Sequence, residues 1–286
     1  MIATTVVDVK SMTKKIPKTK QKVLKQLTQP VTLTEEQNAV VKSILESTEK
    51  VQTLGGLAGS GKTTVVSVLR TSLQGYACCA YTGKAADVLR SKGIDASTIH
   101  SLIYEPVDDG PRTRSSVPTF IRKSAINAKG IIVDEASMVG RSIYNDLISF
   151  ELPIIFVGDH GQLEPVGEGL SLMINPDYRL ETVHRNAGDI AIFAHHLRSG
   201  LSAETFEATE KVKIVSKNKS NDDDLLSADQ IICAKNNTRV GINRYIRRLK
   251  GEEGNRPVVG DRVISLKNSK EYGLFNGTQA IVRSVS

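Results

Sequence analysis

The stretch GGLAGSGKTT, residues 55–64, decides how this chain is read. Residues 56–63 satisfy G-x-x-x-x-G-K-[ST] at every fixed position. The apolar run VQTLGG (51–56) leads into the motif, and a helical pattern follows it, with Val65, Leu69 and Leu73 recurring every four residues. Such a loop, at Gly56, Ala58, Gly59, Ser60 and Gly61, turns backbone N–H groups towards phosphate oxygens, and the helix start adds its positive dipole end. Lys62 supplies a point charge, Thr63 a hydroxyl for Mg²⁺, and Thr64 continues the first helical turn. The expected ligand is ATP with Mg²⁺.

Outward from the loop, short apolar runs alternate with helical stretches. ACCAY (77–81), GIIVDE (130–135) and PIIFVGD (153–159) are nearly continuous in apolar residues, as strands buried on both faces of a parallel sheet are. Before the loop, Thr34 is followed by Glu35 and Glu36 with Gln37 in the capping-box position, so a helix is expected to start there. Alternating β and α units predict an α/β doubly wound parallel sheet.

IIVDEAS (131–137) delivers two adjacent carboxylates from an apolar strand. Asp134 is placed to hold Mg²⁺, and Glu135 to orient and deprotonate an attacking water. That pair favours a hydrolase; a small-molecule kinase would need an acceptor site and leaves the later motifs unexplained. In VGDHGQLEPVG (157–167) another strand ends in Gly158-Asp159, and Gln162 follows on the loop. A glutamine there can touch both the γ-phosphate region and the attacking water, and so report nucleotide state.

The chain has 286 residues, 40% hydrophobic and 24% charged, as in globular proteins. No apolar run reaches the length of a membrane span, and the Lys-rich start leads into no signal-peptide core, so an intracellular, cytoplasmic protein is expected. Cys78, Cys79 and Cys233 have no zinc spacing and read as buried reduced thiols. The net charge is +7, and residues 1–30 hold seven lysines against Asp8 alone, so six of the seven charges sit in that tail. A phosphate-contacting arm and a solvated leader are both consistent with it.

The ordered set Gln37 in LTEEQ, GLAGSGKTT, AYTGKAADVL (80–89), STIHSLI (97–103), VDEAS, GDHGQLEPV and LETVHRN (180–186) resembles the Dda/RecD-type branch of superfamily 1 DNA helicases, from about residue 32 to the C-terminus. The resemblance implies a RecA-like ATPase domain over 31–210 with a hairpin insertion at about 105–129. A linker over 211–230 and a partial second RecA-like domain over 231–286 would follow. In that second domain QIICAK reads as a strand, NNTRVGINRYIRRLKG as a basic helix, and 258–286 as the start of a small SH3-like β insertion with an Asn-Gly turn at 276–277. Gln37 would bond the adenine edge. Thr82, Gly83, Lys84, Ser97, Thr98 and His100 would face single-stranded DNA, although His100 taken alone reads equally as a structural histidine. Arg185 would reach the γ-phosphate, and taken alone reads as a surface ion-pair partner. Phe120 would tip a strand-separating pin or close a small loop core.

The family's later motifs are not found after residue 250, among them the arginine that acts from the opposite side of the ATP cleft. The expectation is a truncated or split product, or a fragment, with slow hydrolysis alone and a partner chain supplying the rest. Two functions follow from the residues: an ATP-dependent helicase moving 5′ to 3′ on single-stranded DNA and acting at forks, or a nucleotide-gated single-stranded-DNA-binding module without turnover.

Overall fold

The computed structural model describes residues 32–107, 120–162, 170–182, 188–216, 219, 221–252, 254, 256–265 and 279–285. The basic tail, the Asn-Gly turn and Arg185 lie outside them. The apolar runs form the strands expected of them: β1 (Val51–Gly56), β2 (Tyr76–Ala80), β6 (Gly130–Asp134) and β7 (Ile154–Gly158). With β3 (Ala96–Thr98) and β8 (Tyr178–Leu180) they make a six-stranded sheet of order β3-β2-β6-β7-β1-β8, parallel at every pairing. The central β6 and β7 are buried at every residue, which is why their sequences are apolar without alternation.

Successive residues of these strands face opposite layers. Ile132, Ile155 and Val157 join a cluster with α1 (Glu35–Glu46), α2 (Lys62–Ser72) and α3 (Gly83–Ser91) through Val41, Leu69 and Leu89. Ile131, Val133, Ile154 and Phe156 join another with α4 (Ile99–Ile103) and α5 (Arg141–Ile148) through Ile99 and Leu147. The adjacent Cys78 and Cys79 divide between the two clusters. Helix α1 starts as expected: the Thr34 side chain accepts from Gln37 N–H and the Gln37 side chain accepts from Thr34 N–H, a complete capping box.

In the turn-rich insertion, β4 (Tyr104–Pro106) pairs antiparallel with β5 (Phe120–Arg122). The pair is tied down at its base, where the Tyr104 hydroxyl donates to Asp146 and Lys123 Nζ donates to the carbonyls of Ser101 (2.8 Å) and Leu102 (2.9 Å). Phe120 is opposite Pro106 and exposed.

The described residues up to Thr182, with Ser265, form one compact unit, and the described residues within 188–264 and 279–285 form another. The division falls between 182 and 188, whereas the sequence reading carries the first domain to 210. In the second unit, α6 (Asp189–Arg198) turns back on the segment after it: Phe193 meets Phe206 at 4.8 Å between ring centroids, and His196 Nε2 lies 2.8 Å from the Ser202 carbonyl. The stretch read as a linker holds the six-residue helix α7 (Asp222–Ser227), started by its own capping box at Asn221 and Asp224. The basic helix α8 (Asn236–Leu249) is present, and β9 (Arg262–Ile264) pairs antiparallel with β10 (Gln279–Ile281). Residues 231–233, expected to form a strand, do not: they have no neighbouring strand to pair with among the described residues, and Ile232 is 87% exposed.

Candidate functional site

Every described residue singled out from the motifs, Gln37 apart, lies at or just beyond the carboxyl end of a parallel strand, the edge where open α/β sheets bind ligands. β1 ends in the phosphate loop. Gly59 and Gly61 take φ of +88° and +84°, left-handed values that a side chain would strain. Gly61, at the N-cap of α2, makes no side-chain cap bond to the helix start. Gly56 is needed for closeness: a Cβ there would come 2.5 Å from Ser60 Oγ and 3.0 Å from Lys62 Cγ.

Lys62 Nζ donates to the carbonyls of Gly56 (2.6 Å) and Leu57 (3.1 Å) and lies 3.9 Å from Asp159 Oδ2. Thr63 and Thr64 occupy the first turn of α2 and are half-buried. Ser60 is fully buried, and its Oγ has no hydrogen-bond partner. A buried orphan hydroxyl, an uncapped helix start and a glycine cradle together fit a bound phosphate group.

Next to the loop's strand in the sheet is β7, and beyond it β6, which delivers Asp134. Burial pushes the Asp134 carboxyl up to about 6, the Glu135 charge adds to the rise, and the Glu135 N–H, Lys62 and Lys92 oppose it. Asp134 Oδ1 accepts from Glu135 N at 3.0 Å. Glu135 itself has φ of +55°, left-handed backbone at a residue other than glycine. Strain of this kind costs about 1–3 kcal/mol and gathers at functional positions. The Thr63 hydroxyl and the Asp134 carboxylate are oxygen donors of the kind a magnesium ion prefers.

β7 ends in Gly158 and the buried Asp159. Asp159 Oδ1 accepts from Gly161 N (2.8 Å), and its carbonyl accepts from Gln162 N (3.1 Å). The short 3-10 turn Ala136–Met138 follows Glu135, and its Ser137 hydroxyl donates to Gln162 Oε1 at 2.8 Å. The 3-10 turn after Glu135 and the loop after β7 are therefore hydrogen-bonded to each other. Asp159 and Ser137 were not singled out as site residues from the sequence. The signal for Asp159 was its place as the last residue of PIIFVGD, and for Ser137 its place in VDEAS.

Gln37 reaches the loop from α1: Nε2 donates to the Ser60 carbonyl at 3.0 Å. Glu36 accepts from Glu181 N at 2.7 Å and Thr182 N at 3.3 Å, fixing the chain just before the segment that contains Arg185. At the other end of the sheet, Thr82 caps α3 by accepting from Ala85 N (3.1 Å), with Gly83 next and Lys84 exposed. Thr98 caps α4 by accepting from Ser101 N (3.1 Å), Ser97 precedes it, and the exposed His100 lies 5.5 Å from the Tyr104 ring. Thr82 accepts at its cap and keeps a hydroxyl proton to donate, while Thr98 Oγ1 also shares a hydrogen bond with Ser101 Oγ at 2.9 Å.

A glycine-rich phosphate loop beside strand-end carboxylates on a doubly wound sheet defines a nucleotide-binding P-loop domain. The chain belongs to the AAA_30 family, described as an AAA domain, whose match spans residues 32–220. Among solved structures it is similar to a Pif1 helicase from a study of two coordinating Pif1 helicases unwinding forked double-stranded DNA. That likeness has a TM-score of 0.54 and 21% identity, covering 89% of this chain and 72% of the other. A Bacteroides Pif1 helicase in complex with ADP-AlF3 and single-stranded DNA gives 0.52 and 20%, covering 89% and 70%. These likenesses show a shared fold, and the Dda/RecD-type resemblance carried by the motifs agrees with it. An uncharacterized protein of Acanthamoeba polyphaga mimivirus is 30% identical over 166 residues, 48% of this chain and 34% of that protein, so the chain spans about a third of it. Among the described residues no helix is long and apolar enough to cross a membrane.

Proposed function

We infer that this chain binds ATP with Mg²⁺ and hydrolyses it as a motor domain of a DNA helicase. The motion would run 5′ to 3′ on single-stranded DNA at a fork, with a further chain or domain supplying the opposing arginine. The observation that carries this reading is the Ser137–Gln162 hydrogen bond, which couples the turn directly after Asp134 and Glu135 to the loop that leaves the same sheet edge. Lys62 and the loop N–H groups bind the β- and γ-phosphates. Thr63 and Asp134 would hold Mg²⁺, which when bound neutralises charge on those phosphates. Glu135 takes the proton of the attacking water, Gln162 senses the γ-phosphate region, and Arg185 reaches it from the segment after β8. Thr82, Gly83, Lys84, Ser97, Thr98 and His100 offer hydroxyl, ammonium, imidazole and backbone donors to the DNA backbone. A cytoplasmic location agrees with this reading.

Phosphate release, measured with and without single-stranded DNA, tests the assignment. Wild type is expected to respond to DNA. Lys62→Ala should lose both binding and turnover. Glu135→Gln should keep binding while turnover falls by about a hundredfold or more. Equal rates in all three proteins would sink the reading. Binding of ATP and DNA by wild type without turnover at any protein concentration would leave a nucleotide-gated DNA-binding module instead.

A further inference from the structure

The hydrogen bond between Ser137 and Gln162 joins a fixed group to a free one. Ser137 is 7% exposed, within the 3-10 turn Ala136–Met138, whereas Gln162 is exposed on the loop after β7. Two backbone bonds close the turn: Met138 N–H donates to the Glu135 carbonyl at 3.2 Å, and Val139 N–H to the Ala136 carbonyl at 3.1 Å. The turn also lies against the end of β7, so closely that a Cβ on Gly158 would come 2.9 Å from Ser137 N. The Gln162 side chain, by contrast, turns about χ1, χ2 and χ3. It borders a cavity of about 30 Å³ with Ser137, His160 and Met173, which gives the amide room to swing. We propose that Ser137 is a positioning residue that aims the Gln162 amide at the γ-phosphate end of the nucleotide. The inference rests on the reading of the phosphate loop as a nucleotide site and of Gln162 as its γ-phosphate sensor.

The chemistry of the amide explains what is positioned. The Ser137 hydroxyl donates to Oε1 at 2.8 Å, which leaves both N–H groups of Nε2 to donate to an anion. Oε1 keeps a second lone pair, so the same amide can also accept from a water. Fixing an exposed glutamine costs rotamer freedom. With the amide already held by a buried hydroxyl, that cost does not fall on the binding of the γ-phosphate. A diphosphate lacks the group that the amide faces and gains nothing from the arrangement. Ser137 is also two residues after Glu135, so a short covalent path and one hydrogen bond join the base for the attacking water to the sensor.

The test compares Mg²⁺-dependent binding of ADP and of adenylyl imidodiphosphate, a triphosphate analogue that is not hydrolysed, by titration calorimetry. Wild type is expected to prefer the analogue. Ser137→Ala should reduce that preference by about threefold to tenfold, the span of one lost hydrogen bond, and leave ADP affinity within about twofold. Gln162→Ala should reduce it at least as much, and adding Ser137→Ala to that variant should change nothing more. Ser137→Thr keeps the hydroxyl and should keep the preference. If Ser137→Ala does not fold, Ser137→Cys, similar in shape with a weak donor, takes its place in the comparison. A Ser137→Ala protein with the wild-type preference would overturn the proposal. So would an equal loss from Ser137→Ala with and without Gln162, or a wild type that binds ADP and the analogue alike. A fall in ADP affinity matching that of the analogue would give Ser137 a merely structural role and overturn it too. A folded wild type that binds neither ligand overturns the reading of the loop itself.

Discussion

Asp134 shows what a single buried carboxylate does to the molecule. Its folded pKa, near 6, is above the ordinary 3.8, and burial is the main cause. Between about pH 4 and 6 the folded chain therefore binds more protons than the unfolded chain, and stability falls as pH rises through that window. Below it the carboxyl is neutral in both states and the penalty vanishes; above it the penalty is complete. Asp134→Asn removes the titration. In EDTA, the stability difference between variant and wild type should grow from pH 4 to pH 6 in the variant's favour and then level off, at about 3 kcal/mol. Urea denaturation at several pH values measures it, and a gap that does not change with pH would refute the assignment. Added magnesium nucleotide should shrink the gap, because a nearby cation holds the carboxylate ionised.

At the scale of elements, β6 and β2 meet through a glycine. Gly130 opens β6 and pairs with Tyr76, whose ring occupies the space where a Cβ would stand. Gly130→Ala should displace that ring and cost about 1–3 kcal/mol of stability, read as a lower urea midpoint with an unchanged slope. An unchanged midpoint would show that the ring yields freely. The same strands explain what was legible in the sequence. GIIVDE and PIIFVGD stood out because burial on both faces demands apolar residues at every position. β3 and β8 escaped notice because three residues are too few to show a period. QIICAK was as apolar as a strand and formed none, since pairing needs a neighbour that composition does not report. At the site, the phosphate loop was legible because its spacing is local. The Lys62–Asp159 and Gln37–Ser60 contacts were not, because folding alone brings those residues together.

At the scale of the whole chain, burial is unevenly divided. The first unit has two apolar clusters on the two faces of its sheet, with Leu54, Leu69, Ile131 and Phe156 fully enclosed. Among the described residues of the second unit, Val212 alone is buried as a hydrophobic, while Ile190, Ile192, Leu201 and Val259 are exposed. Burial of apolar area is the main favourable contribution to folding, at about 25 cal/mol per Å². The cooperative stability of the chain accordingly resides in the unit that holds the phosphate loop. Polar links in the second unit include Tyr245 to Asp222 at 2.7 Å and Arg247 to Asp261.

The two adjacent cysteines of β2 have a practical consequence. Cys78 and Cys79 are enclosed on opposite faces of the sheet, and burial pushes both thiols up, Cys78 to about 11 and Cys79 further. Cys233, in the second unit, is partly exposed. A maleimide dye at neutral pH should mark Cys233 at once and leave the pair untouched while β2 stays in place. Later uptake of dye at Cys78 and Cys79 then times the opening of the sheet from within, with no engineered probe. Saturating magnesium ATP should slow that uptake, by about a hundredfold at a hundred times the dissociation constant, if the ligand binds the closed form alone. Mass spectrometry of the labelled peptides would count the events, and a pair that labels as fast as Cys233 would show that the sheet offers no such shelter.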